Sequence, residues 1–135
     1  MAYTTINKST DHFNTVLYTG NGSTQSITGV GFQPDWVWLK GRSYVDGHKA
    51  YDAVRGVSKD LTPNATSAEG STATGLTAFD SDGFTLGNWS NVNRNSETHV
   101  SWNWKAGGSG SSNSDGSISS TVSANTTAGF SIVKW

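Results

Sequence analysis

Cysteine is absent from the 135 residues, proline occurs twice and methionine once. Without cysteine there is no disulfide framework, no thiolate zinc site and no thiol nucleophile. Glutamate occurs only at Glu69 and Glu97, the only glutamates that could pair as the acid and base of a glycoside-cleaving enzyme, although aspartates could substitute. No apolar run approaches the roughly 18 residues of a membrane span. The opening Met1-Ala2-Tyr3-Thr4-Thr5-Ile6-Asn7-Lys8 lacks the apolar stretch of a secretory signal. The expectation is a protein that begins soluble, with no membrane insertion. An excess of one charge is missing too: nine Lys and Arg stand against ten Asp and Glu, for a net charge of -1. With no basic run or basic face, nucleic acid is not an expected partner.

Strong helix formers are scarce, while Gly, Ser, Thr and Asn make up close to half of the chain. Leu, Ile, Val and Phe together fall below a fifth, a level that signals disorder only when net charge is high. Six Trp, five Phe and four Tyr restore the missing apolar area, because each buried ring covers about 150–250 Å². Short apolar runs bounded by Gly, Asn, Asp and Ser recur along the whole length, the spacing of an antiparallel sandwich or barrel.

The runs define the expected strands. Phe13 to Thr19 ends at Gly20-Asn21-Gly22 and Gln25 to Val30 follows, together reading as a first hairpin. Trp36-Val37-Trp38-Leu39-Lys40 is apolar on both faces and belongs at the middle of the core. Lys49 to Val54 is weaker, and 59–75 reads as a long surface loop. Leu76 to Phe79 and Phe84 to Leu86 flank Asp80-Ser81-Asp82-Gly83, a hairpin signal. Thr98 to Lys105 alternates, with Val100, Trp102 and Trp104 on the face assigned to the core and His99, Ser101 and Asn103 on the other. A Gly/Ser-rich loop at 106–116 precedes Ser117 to Val122 and Gly129 to Trp135. The whole chain, 1–135, is expected to form one domain. Its expected core is Phe13, Val16, Trp36, Trp38, Phe79, Phe84, Trp102, Trp104 and Phe130.

Candidate chemistry is sparse. His12, His48 and His99 lie at no metal-ligand spacing, so no metal site is expected and no cofactor is implied. Asp80-Ser81-Asp82-Gly83 opens like a calcium loop, but Phe84-Thr85-Leu86 supply no carboxylate, and the turn reading is the better one. There is no nucleophile elbow and no phosphate-binding Gly-Lys loop, so no catalytic residue is assigned. Asn88-Trp89-Ser90-Asn91-Val92-Asn93-Arg94-Asn95 sets one ring among amides. That mixture suits sugar recognition, the ring stacking on a pyranose while amides pair with hydroxyls, and it equally suits an Asn-rich loop. Trp89, Asn91, Asn93 and Arg94 are the candidate glycan ligands.

The stretch Phe13 to Arg42, FNTVLYTGNGSTQSITGVGFQPDWVWLKGR, resembles the repeated β domain of bacteriophage virion proteins, often of marine or cyanobacterial phages. Further similar pieces are Tyr51 to Gly56, Leu76 to Gly87, Val100 to Ala106 and Gly129 to Val133, and the opening Met1 to Ile6 is also similar. The resemblance implies a virion part and brings no catalytic residue with it. The expectation is a non-enzymatic structural protein, all-β, an antiparallel β-sandwich of jelly-roll type. It would be made in the host cytoplasm and carried on the particle exterior as a tail or head fibre or a capsid decoration. Expected partners are other virion proteins and further copies of the chain, as in a trimer that covers open strand edges. The alternative is a lectin-like receptor-binding module for host surface glycan. The chain ends where another repeat would begin, which leaves open a longer fibre.

Overall fold

The structure, a computed structural model, describes residues 6–135; most of the opening stretch Met1 to Ile6 quoted above, Met1 to Thr5, lies outside them. A short 3-10 turn, Ser9–Asp11, leads into twelve strands: β1 Phe13–Thr19, β2 Gln25–Thr28, β3 Trp36–Gly41, β4 Lys49–Asp52, β5 Lys59–Asp60, β6 Gly70–Ser71, β7 Leu76–Asp80, β8 Gly83–Leu86, β9 Thr98–Trp104, β10 Ser111–Asn113, β11 Ser120–Asn125 and β12 Phe130–Lys134. One helical turn, α1 Ser90–Asn93, joins β8 to β9. No helix among the described residues is long and apolar enough to cross a membrane.

All pairings are antiparallel. A four-stranded sheet runs β1-β9-β3-β4 and a three-stranded sheet runs β2-β8-β7. They enclose one core: Val37, Leu39 and Tyr51 from the first meet Ile27, Leu76, Phe84 and Leu86 from the second, with Val92 of α1 closing one side. The protein is therefore an antiparallel β-sandwich, each sheet hiding one face against the other. Its four-plus-three strand count departs from the two four-stranded sheets of a jelly roll. A further three-stranded meander, β10-β11-β12, follows the Gly/Ser tract.

The expected β7–β8 hairpin forms, with Asp80 opposite Gly83. Asp82 fixes the turn to the neighbouring loop by accepting the backbone N–H groups of Gly29 (3.1 Å) and Gly31 (2.6 Å). Those bonds hold its carboxyl below the ordinary aspartate range. The expected hairpin between β1 and β2 does not form. β1 pairs with β9 and β2 with β8, so the Gly20-Asn21-Gly22 turn carries the chain from one sheet to the other. The stretch 59–75 contains the small β5–β6 ladder, and the 106–116 tract contains β10. That tract is anchored: Asp35 accepts the N–H of Ala106 (2.8 Å) and Gly108 (3.2 Å), and Ser123 Oγ accepts that of Gly107 (2.8 Å).

The face assignment of β9 is corrected. His99, Ser101 and Asn103 are fully buried, and Trp102 and Trp104 are only partly so. Register shows why: Ser101 faces Leu39 and Val16, and Asn103 faces Val37, all on the inner side. The gap between sheets is about 10 Å, and here Tyr51 and Phe84 fill it. Ser101 and Asn103, small polar residues on that inner face, leave that room, and most of their polar atoms bond within the sheet, while Asn103 Oδ1 is buried without a partner. Asn103 Nδ2 donates to Asn14 O and Ser101 Oγ, and Ser101 Oγ donates to Val16 O.

Of the nine expected core residues, Phe84 is fully buried, and Val16 and Phe79 pack on the inner cluster. Trp36, Trp38, Trp102, Trp104, Phe13 and Phe130 are partly exposed and stand outside it. Cross-strand pairs Phe13–Trp104, Trp36–Trp104 and Trp38–Trp102 set the first five on the outer face of the four-stranded sheet. Phe130 of β12 stacks on Trp104 at 6.2 Å and covers one end of that face.

Candidate functional site

The segment carrying Trp89, Asn91, Asn93 and Arg94 is shaped by α1, a single turn held by Asn93 N–H donating to Trp89 O (2.9 Å). Its side chains face inward or each other. Asn93 is completely buried and its amide is fully used: Nδ2 donates to Ser23 O (2.6 Å) and Gly87 O (2.8 Å), and Oδ1 accepts the N–H of Asn21 (2.9 Å). It staples the β1–β2 crossing to the end of β8 and has no group left for a sugar hydroxyl. Asn91 Nδ2 donates to Asp46 Oδ1 (3.1 Å), and the Arg94 guanidinium lies 3.8 Å from Asp46 Oδ2. Arg94 also sits 4.2 Å above the Tyr44 ring. Tyr44 closes the group by donating to Asn91 O (3.0 Å), and burial pushes its phenol up to about 12. The Trp89 ring packs on the inner cluster with Lys49 Nζ 4.8 Å over it. Asn91, Asn93 and Arg94 thus fasten loops, and Trp89 packs on the core.

The structure gathers a different set of rings. On the outer face of the four-stranded sheet, Trp38 and Trp102 meet edge to face at 6.0 Å, and His48 lies 5.9 Å from Trp38. Trp38, His48, Trp102 and Trp104 line a cleft of about 250 Å³, with no other of the described residues in its wall. Trp38 Nε1 donates to His48 Nδ1 (3.2 Å). An indole nitrogen only donates, so the neutral imidazole carries its hydrogen on Nε2, where it is a donor. The strands hold these rings because alternation sends Trp36 and Trp38 outward whenever Val37 and Leu39 point inward. Placing Trp38, Trp102 and Trp104 in the core hides the site. The signal that reveals it is β3 itself, where indoles occupy one face and aliphatics the other, and only the aliphatic face suits a thin sandwich interior.

Carboxylates contribute no cleft. Asp52 binds Arg55, which also meets Glu69; Asp60 binds Lys49; Asp11 binds Lys8; and Asp46 binds Arg94. Asp35 and Asp82 hold backbone N–H groups, Asp80 accepts from Thr85, Glu97 from Ser43 and Asp115 from Asn113. All ten acids of the chain are engaged with the fold. Among the described residues, no group of three or more His, Asp or Glu is placed to hold a metal ion.

Residues 8–135 match a family described as Domain of unknown function (DUF7483). No curated protein and no solved structure matches the chain.

Proposed function

The chain belongs to the DUF7483 family, and we propose that it is a non-enzymatic structural module on the exterior of a bacteriophage particle, assembled with copies of itself and with other virion proteins. The observation that carries the non-enzymatic part is the engagement of all ten carboxylates in bonds that fasten loops and strands. A general acid or base needs a carboxyl free to meet a substrate in a cleft, and these are occupied.

The virion setting is supported by the likeness of six segments of the chain to repeated phage β domains. Self-assembly is supported by the edges of β1 and β12, unpaired among the described residues, which carry exposed Leu17 and Val133, with exposed Trp135 following β12. Such edges invite pairing or cover by a neighbour. The test is mass spectrometry with antibody labelling of gradient-purified particles from the source. Stoichiometric recovery on the particle exterior supports the reading, and recovery only in the free soluble fraction overturns it. A second reading, a lectin-like module for host surface glycan, is favoured by one observation, the cleft of open indoles on the outer sheet face.

A further inference from the structure

The geometry points to a binding site for one uncharged pyranose ring of a glycan in the cleft formed by Trp38, His48, Trp102 and Trp104. The assignment rests on the glycan reading and moves its site away from Trp89, Asn91, Asn93 and Arg94.

Three observations set the ligand class. Size comes first: about 250 Å³ lies just below the range of pockets for drug-sized ligands and holds a single small ring. The walls come second. Three indoles and an imidazole make the wall aromatic and apolar, the surface that C–H faces of a sugar pack on, with the Trp104 ring also stacked on Phe130. Trp38 and Trp102 meet at 70°, so a ring stacked on one presents its edge to the other.

Charge comes third. Lys40, opposite Val100 on this face of the sheet, donates its ammonium to Gly41 O (3.1 Å), and Arg55, beside Trp36, is held by Asp52 and Glu69. Among the described residues, no Lys or Arg lines the cleft. A phosphate, sulfate or uronate would therefore meet no ammonium or guanidinium in its wall, and a nucleic acid, which binds largely through phosphates, is disfavoured for the same reason.

The cleft is also rigid. Its indoles stand on β3 and β9, the two interior strands of the four-stranded sheet, and one indole is fixed by its bond to His48. Rigid rings lose little freedom when a ligand stacks on them.

The test is calorimetric titration of the full chain with cellohexaose, maltohexaose, chitohexaose and mannohexaose, and with dextran sulfate and oligo-dT as charged probes. The expected result is binding of at least one neutral hexasaccharide with a change in tryptophan fluorescence. Affinity should fall about tenfold or more in Trp102→Ala and Trp38→Ala, the scale of a lost ring-stacking contact, and remain unchanged in Trp89→Phe. Trp102→Phe and His48→Ala, milder changes, keep the test valid if an alanine variant does not fold, and both should weaken binding.

Sugar binding that ignores every cleft variant but falls in Trp89→Phe overturns the site and leaves the glycan reading standing. No binding of any neutral hexasaccharide overturns both. Preference for a charged probe, or a dimer in sedimentation that Trp102→Ala dissociates, also overturns the site. None of these results depends on where the protein lies on a particle.

Discussion

His99 is the residue whose chemistry departs furthest from its sequence context. It stands on an alternating strand as if facing water, yet it is completely buried. Its ring is stacked on Tyr18 at 4.9 Å and met edge-on by Tyr44 at 5.4 Å. Burial is the largest influence on the imidazole and lowers its pKa below the usual 6.5, with the Glu97 carboxylate partly opposing. The unfolded chain takes up a proton near 6.5 and the folded chain resists it. The stability tied to this ring is thus complete above that pH and is lost as pH falls below it. Replacing His99 by Phe keeps a ring in the slot and removes the proton. The unfolding midpoint of His99→Phe should change less between pH 7 and pH 5 than that of the parent chain, measured by urea denaturation.

Asn93 carries the opposite lesson, because its type suggested a ligand contact and its position makes it structural. Asn93→Ala leaves the carbonyls of Ser23 and Gly87 and the N–H of Asn21 without their partner. The expected loss is about 3 kcal/mol, read from the same denaturation. A glycan contact would instead leave the midpoint in place.

At the scale of elements, the sandwich depends on close approach between strands of different sequence neighbourhoods. Gly83 begins β8 opposite Thr28, and a Cβ there would land on the carbonyl oxygen of Ile27. Because that obstacle is backbone, no rotamer relieves it. Gly83→Ala should push β2 off β8 and lower the unfolding midpoint strongly, whereas Gly116→Ala, which meets open space, should leave it unchanged. Comparison of the two thermal melts checks this.

Pairings between neighbours in sequence are legible in the sequence itself, unlike the β2–β8 approach. Asp80 to Gly83 announced a hairpin through turn chemistry, and Phe13–Thr19 was bounded correctly by glycines. The β1–β2 hairpin was misread because the same turn residues serve a crossing between sheets. Nothing local distinguishes a turn that returns to its own sheet from one that leaves it. The face of β9 was misread because alternation reveals two faces and not which is inside. Ring size argued for Trp102 and Trp104, and the volume already taken by Tyr51 and Phe84 decided against them.

For the whole molecule, the β10–β12 meander covers one end of the tryptophan face and leaves the other open. Phe130 on Trp104 and the buried Ile132 hold it there. Removing Phe130 should loosen that cover without dismantling the sandwich, since the inner cluster includes no residue of these strands. In Phe130→Ala, amide hydrogen exchange should speed up in β10–β12 and stay slow in β3 and β9. Equal acceleration in both regions would mean that the meander and the sandwich open as one unit.

The sequence by itself determined the all-β class, most strand positions, the β7–β8 turn and the absence of thiol chemistry, because these follow from composition and from contacts a few residues apart. Only the tertiary structure decided which face of each strand is buried, which strands share a sheet, and that Asn91, Asn93 and Arg94 fasten loops. It alone brought Trp38, His48, Trp102 and Trp104 to one cleft. Those outcomes depend on how much volume two sheets enclose and on which distant groups compete for it, and periodicity along a single strand carries no measure of either.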